Sequence, residues 1–464
     1  MTTPTTAHPY IPNSAPAVRA DMLATIGVDA SDDLFASIPA HLRAADDLAL
    51  PAALPSESQL RRYFSEVLAQ NVDTTDHLSF LGGGCWAHAV PAVCDEIAGR
   101  GEFTSAFMGL GGASTTGAYQ ALFEYQSLIS ELVGLDVAPL PAYDWAWAAS
   151  TALLMAVRAT ARSRILVVDT VGPERRAQIT ARLPLRVELE WVGHDLASGS
   201  IDLDDLRRRV DGAAALYFEN PSYLGLLEND LDEVRQITAS AGCRLVAGVD
   251  PTSLGVVRDP GSYGADLACG ELQPLGQHQT FGGSAAGFLS CRLDEALLAE
   301  LPNIYISAVP TVRAGEFDFF WGNFESTSYA TRGESDDVIG CGSTMAGIIA
   351  ATYLSLMGPT GMAELGEALR ARAQYLRDRL ATVPGVGTAR MTGVPFKEVI
   401  VDFSGSGRSP AQINAALLDR QILGGIDLGA EFAELAGCAL YSVSEEHTRE
   451  DLDHLANTIE EVLR

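Results

Sequence analysis

From about Phe80 to Leu301, apolar runs of strand length take turns with stretches of helical periodicity, and this alternation constrains the chain more than any other feature. The clearest runs are Ile165-Leu166-Val167-Val168, Ala213 to Phe218, Leu245 to Val249 and Gly287-Phe288-Leu289. Strands that are apolar throughout are strands covered on both faces. Between them, Leu203 to Val210 and Leu231 to Ser240 carry an apolar stripe at helical spacing, so βαβ units around a largely parallel sheet are expected. Ligands of such folds bind beyond the carboxyl ends of the strands.

The flanks read differently. Pro12 to Leu60 is helical in pattern but broken by Pro and Gly, with Ser31 as a candidate N-cap before Asp32-Asp33-Leu34-Phe35. After the alternating region, a long helix is expected through Met345 to Met357, resuming after Gly358-Pro359 as Met362 to Thr382. Short strands follow from Val394, and a last helix starts at Thr448 with a relaxed Thr448-x-x-Asp451 capping box. The expected division is a helical arm at 1–79, a large domain at 80–330, and a linking helix with a small α+β domain at 331–464.

Charge removes several classes of function. The 464 residues hold 31 Lys plus Arg against 60 Asp plus Glu, a formal net charge of −29. So acidic a chain has neither the basic face of a nucleic-acid binder nor attraction to an anionic membrane. No run reaches the ~18 apolar residues of a spanning helix, and no signal peptide is evident. Seven widely spaced cysteines without a C-x-x-C pair suit neither a disulfide framework nor a zinc site, so no metal and a reducing cytoplasm are expected. Only one of the basic residues, Lys397, is a lysine.

Three features stand in the order expected of a large domain that binds pyridoxal 5'-phosphate. Tyr143-Asp144-Trp145 to Ser150-Thr151 reads as a turn before a helix Ala152 to Thr160, where free N–H groups and the Ser150 and Thr151 hydroxyls would hold a phosphate. Asp250, at the end of the run Leu245 to Val249, is placed to pair with a pyridine nitrogen and keep it protonated. Third, Gly264 to Gly270 reads as a strand leading into the loop Gln273 to Gly283, where the Schiff-base lysine of this fold belongs. That loop holds none. Neither arginine nor glutamine can supply the primary amine. Lys397 opens the strand Val399 to Phe403 and reads as a strand-edge charge, so the chain alone is not expected to be a complete pyridoxal enzyme.

The sequence resembles the P-protein of the glycine cleavage system in its split form, as subunit 1 of glycine dehydrogenase (decarboxylating). The matching segments include Tyr10-Ile11-Pro12-Asn13, Met22 to Val28, Phe80-Leu81-Gly82-Gly83-Gly84, Gln120 to Gln126, Tyr143-Asp144, Asn220-Pro221, Asp250 to Leu254, Phe281-Gly282-Gly283 and Pro395-Phe396-Lys397-Glu398. The resemblance implies fold type I of the pyridoxal-phosphate-dependent transferases, aspartate-aminotransferase-like, with a mostly parallel seven-stranded sheet in the large domain and a small C-terminal α+β domain. It also implies a hetero-oligomer. A lysine-bearing second subunit would carry pyridoxal phosphate, this chain would complete the wall of the site, and an amino acid would be decarboxylated with transfer to a lipoyl carrier protein.

Departures from the family pattern fall in loops. Cys85-Trp86-Ala87-His88-Ala89, Met108 to Gly117 and Arg332 to Asp337 replace segments of different chemistry, which puts glycine and the lipoyl acceptor in question. His88 and His278 are the candidate catalytic residues, one of them facing the shared cavity; the plain alternative for each is a satisfied or solvated histidine. Tyr143, Asp144, Ser150, Thr151 and Asp250 are the candidate cofactor-binding residues. The competing expectation is a scaffold that stabilises its partner without lending side chains to the site.

Overall fold

The computed structural model describes residues 7–8, 10–43, 49–54, 56–104, 116–280, 286–322, 327, 338–339 and 342–464. They fall into two compact units, Met1–Val72 and Asp73–Arg464.

The first unit carries helices α1 (Pro16–Ile26) and α2 (Glu57–Leu68) and short 3-10 turns. None of the side chains in α1 or α2 is buried. Ser31 does not cap a helix as expected. It begins a short 3-10 turn whose Asp33 carboxylate accepts the Asp29 and Ala30 N–H groups, while the Ser31 hydroxyl accepts from Arg19.

The second unit begins with β1 (Leu78–Ser79), α3 (Ala92–Ala98), α4 (Gly101–Thr104), α5 (Thr116–Val133) and α6 (Trp145–Thr160). The alternating region follows as β2 (Arg164–Val168), α7 (Pro173–Arg182), β3 (Glu188–Val192), α8 (Leu203–Arg209), β4 (Ala215–Glu219), α9 (Leu231–Ser240), β5 (Arg244–Val249), β6 (Leu267–Glu271) and β7 (Gly287–Cys291). These strands form one sheet in the order β3-β2-β4-β5-β6-β7, parallel except for β7, which runs antiparallel to β6.

Period-two alternation divides each apolar run between two cores. Leu166, Val168, Leu216, Phe218, Leu245 and Ala247 face one cluster with α5, and Ile165, Val167, Ala215, Tyr217 and Val246 face another with α6. Six strands are present among the described residues where seven were expected. The segment 137–142 runs beside β7 but meets it only at isolated bridges, Val137 to Cys291 and Ala142 to Gly287. Pro139 and Pro141 lack the N–H groups a seventh ladder would need.

Beyond the sheet lie α10 (Glu295–Leu298), the hairpin β8 (Tyr305–Pro310) with β9 (Phe317–Gly322), and α11 (Thr344–Leu380). α11 is broken where expected. Gly358 adopts φ 59° and ψ −178°, open to glycine at little cost, and Pro359 restarts the helix. The C-terminal lobe comprises β10 (Glu398–Asp402), α12 (Pro410–Leu418), β11 (Ile422–Leu423), β12 (Ile426–Asp427), β13 (Cys438–Ser442) and α13 (Arg449–Leu463). Thr448 caps α13 reciprocally with Asp451. Among the described residues no helix is long and apolar enough to cross a membrane.

Candidate functional site

The carboxyl ends of the parallel strands point their loops at one edge of the sheet, and the candidate residues gather there. Asp250 follows β5 directly and is buried. Its Oδ1 accepts the N–H and hydroxyl of Thr252, which fixes the carboxylate and turns Oδ2 toward the C-terminal lobe. Oδ2 meets Lys397 Nζ at 2.6 Å.

Lys397 is therefore not a strand-edge charge. Its side chain is fully buried immediately before β10. An ammonium has three N–H donors, and groups lie around this one on three sides, although Asp250 Oδ2 accepts no aligned hydrogen bond from it. One faces Asp250; another reaches His88 Nε2 at 3.2 Å; and the Trp86 ring centroid lies 3.3 Å from Nζ, within cation–π range. Since Nε2 accepts from the ammonium, the proton of a neutral His88 ring belongs on Nδ1, which lies 2.8 Å from Glu445 Oε2 and donates to it. Burial pushes the Glu445 carboxyl up, but the hydrogen bonds from His88 and from the Ala89 N–H outweigh it and hold the group below its usual value. The Trp86 indole N–H donates to Glu398 Oε1 at 2.6 Å, and burial raises that carboxyl to about 7 against the pull of Lys397.

A cavity of about 550 Å³ opens beside this cluster, lined by Gly82 to Cys85, Asp144, Trp145, Arg175, Tyr223, Glu271 and His278 among others. Arg175 makes a buried ion pair with Glu219 (Nη2 to Oε2, 2.8 Å) and stacks its guanidinium 4.0 Å from the Trp145 ring centroid. Glu271, at the carboxyl end of β6, is pushed up to about 7 by burial and by the charge of Asp144, although N–H groups of Gln273 and Ala286 pull the other way. His278 lines the cavity and pairs with Asp95 at 3.0 Å on an exposed face. His88 is absent from its lining, so the two candidate histidines are not brought together.

The phosphate side is also rearranged. α6 starts at Trp145 and not at Ala152, so Ser150 and Thr151 lie inside the helix. Ser150 donates to the Ala146 carbonyl, and Arg182 donates to both hydroxyls, at 2.6 Å and 3.1 Å. The N–H of Trp147 is capped by the Asp144 carboxylate at 2.6 Å. Tyr143 is partly exposed and meets Trp147 edge-on. With Asp250 paired to Lys397, a carboxylate at the helix start and both hydroxyls engaged elsewhere, these residues do not fit pyridoxal phosphate within this chain.

Sequence reasoning missed Trp86, Glu271, Glu398 and Glu445 and misplaced Lys397. A signal existed. A lone lysine in a chain whose other cations are arginines marks a place that takes a compact ammonium and no planar guanidinium.

The fold has solved counterparts. A sphingosine-1-phosphate lyase from Burkholderia pseudomallei matches with a TM-score of 0.65 at 13% identity, over 91% of this chain and 94% of that one, a likeness of fold alone. A crystal structure titled glycine decarboxylase (P-protein) of the glycine cleavage system, in inhibitor-bound form, matches with a TM-score of 0.87 at 31% identity, over 98% of this chain and 100% of the other. The architecture is thus fold type I of the pyridoxal-phosphate-dependent enzymes. The Glycine cleavage system P-protein family profile matches residues 8–459, and the chain belongs to that family. A relative from Staphylothermus marinus named "Probable glycine dehydrogenase (decarboxylating) subunit 1" is 34% identical over 465 residues, covering 98% of each chain.

Proposed function

We propose that this chain is the subunit without a Schiff-base lysine in a heteromeric, pyridoxal-phosphate-dependent glycine-decarboxylase-like enzyme of the oxidoreductase class. The observation that carries the reading is the commitment of its only lysine to a buried pair with Asp250, which leaves no amine to hold the cofactor. The names of its relatives, as probable subunit 1 of glycine dehydrogenase (decarboxylating), support it. The cofactor would be held by the lysine of the second subunit, and the chemistry it would supply there is that of an electron sink.

On this reading, the chain's own residues shape the wall of a shared cavity. Arg175 and Trp145 form a rigid side of it, and Glu271, with a carboxyl near neutrality, can hold or yield a proton there. His278 stands at the same cavity. His88 acts through Lys397 and Glu445 as a positioning residue. The substrate is glycine or a related amino acid and the acceptor a lipoyl carrier. Most of the two loops that depart from the family pattern, 108–117 and 331–337, lies outside the described residues.

A scaffold role is favoured by one observation, the burial of His88 off the cavity lining. Reconstitution separates the two readings. The chain, a lysine-bearing second subunit and the pair are assayed for amino-acid-dependent CO₂ release, with Glu271→Gln and His278→Ala in the pair. Activity of the pair alone, lowered at least tenfold by Glu271→Gln with assembly intact, supports the lining role; full activity of both variants supports the scaffold.

A further inference from the structure

The geometry points to Lys397 as a built-in ammonium ligand: its Nζ takes the place on Asp250 that a pyridine nitrogen would need, and thereby pins the C-terminal lobe to the end of the central sheet. Asp250 and its neighbour Thr252 belong to the loop after β5, whereas Lys397 precedes β10 of the lobe. The ammonium is enclosed by Asp250, His88 and Trp86. Each of these partners is itself tied down, Asp250 by Thr252, His88 by Glu445, and Trp86 by Glu398. Lys397 thus stands in the pocket as its resident cation, held by the charge of Asp250 and by its contacts with His88 and Trp86. The consequence is that the chain is closed to pyridoxal phosphate by an occupant and not merely by lack of an aldehyde-capturing lysine in the loop after β6. The inference concerns this chain's own pocket and holds whether or not a partner supplies the cofactor.

Excising the ligand exposes its site. Lys397→Ala removes the atoms from Cγ to Nζ, and n-propylammonium is the same fragment as a free molecule. In the full chain, Lys397→Ala is expected to lower Tm by about 3–5 °C, because Asp250 is left buried and unpaired. About 50 mM n-propylammonium then recovers at least half of that loss by binding the folded state alone. n-Propanol, of like shape without charge, does not; neither wild type nor Asp250→Asn/Lys397→Ala responds to the amine. Equal rescue by propanol, or equal rescue of the double variant, would overturn the inference.

Should Lys397→Ala fail to fold, Lys397→Met fills the volume and leaves only the charge uncompensated. Asp250→Asn/Lys397→Met is then expected to melt above Lys397→Met; the same or lower Tm counts against the inference. Pyridoxal phosphate itself is the last probe. Its visible spectrum is expected to be unchanged by wild-type chain, and a spectral shift abolished by Asp250→Asn would show that Lys397 does not hold the site.

Discussion

Lys397, just before β10, and Asp250, just after β5, meet at 2.6 Å in the interior of the second unit. Such a pair gives little net stability over an apolar one, because desolvation offsets the attraction, but removing either partner alone is costly. It fixes how the C-terminal lobe closes over the carboxyl edge of the sheet.

His88 supports this pair from the side. In His88→Leu, Lys397 loses an acceptor and Glu445 one of its two donors, so a loss of about 1–3 kcal/mol is expected in chemical denaturation. The acid limb should change as well. The Glu445 carboxyl sits below its usual value in the folded chain, so its contribution is present above the unfolded value and lost as pH falls through the lower one. That part of the pH dependence should shrink in His88→Leu.

Glu398 works in the opposite direction. Its folded value near 7 lies above the ordinary 4.5, so its contribution is complete below the unfolded value and lost as pH rises through 7. Glu398→Gln should flatten the decline of Tm from about pH 5 to about pH 8, an effect on the order of 3 kcal/mol. Part of the decline should persist, because Glu271 is raised in the same way.

Much of the fold was legible because it rests on local patterns. β2, β4, β5 and β7 lie where apolar runs stand, and Gly358-Pro359 and Thr448 mark a kink and a helix start through backbone rules. The start of α6 was not legible. A helix buried on every side carries no polar stripe, so Trp145 to Thr151 looked like a turn. The edge strand β3, only partly buried, has no continuous apolar run to announce it. Lys397 was misjudged for a different reason. Pro395-Phe396-Lys397-Glu398 reads as the polar opening of a strand, and nothing nearby in sequence reveals that Asp250 and His88 converge on it.

Gly287 tests the packing under α6. A Cβ there would sit 2.3 Å from the Asp144 carbonyl oxygen and 2.9 Å from the Trp145 N. Gly287→Ala must displace the helix start, and a loss of about 1–3 kcal/mol is expected in urea denaturation.

Substrate choice bears on the altered loops. An assembled pair is expected to exchange glycine carboxylate with bicarbonate weakly and to turn over a larger or differently charged amino acid better. The sequence at 331–337 carries Asp336 and Asp337, and acidic side chains disfavour a carboxylate wherever they line its site. Exchange assays with a panel of amino acids check this; glycine as the best substrate, unaffected by grafting the usual family loop, would refute it.

The most direct measurement is to reduce the active complex with borohydride in the presence of pyridoxal phosphate and map the labelled lysine by peptide mass spectrometry. The pyridoxyl group is expected on a lysine of the second subunit, with Lys397 unmodified. A pyridoxyl-Lys397 peptide, lost together with activity in Lys397→Arg, would contradict it.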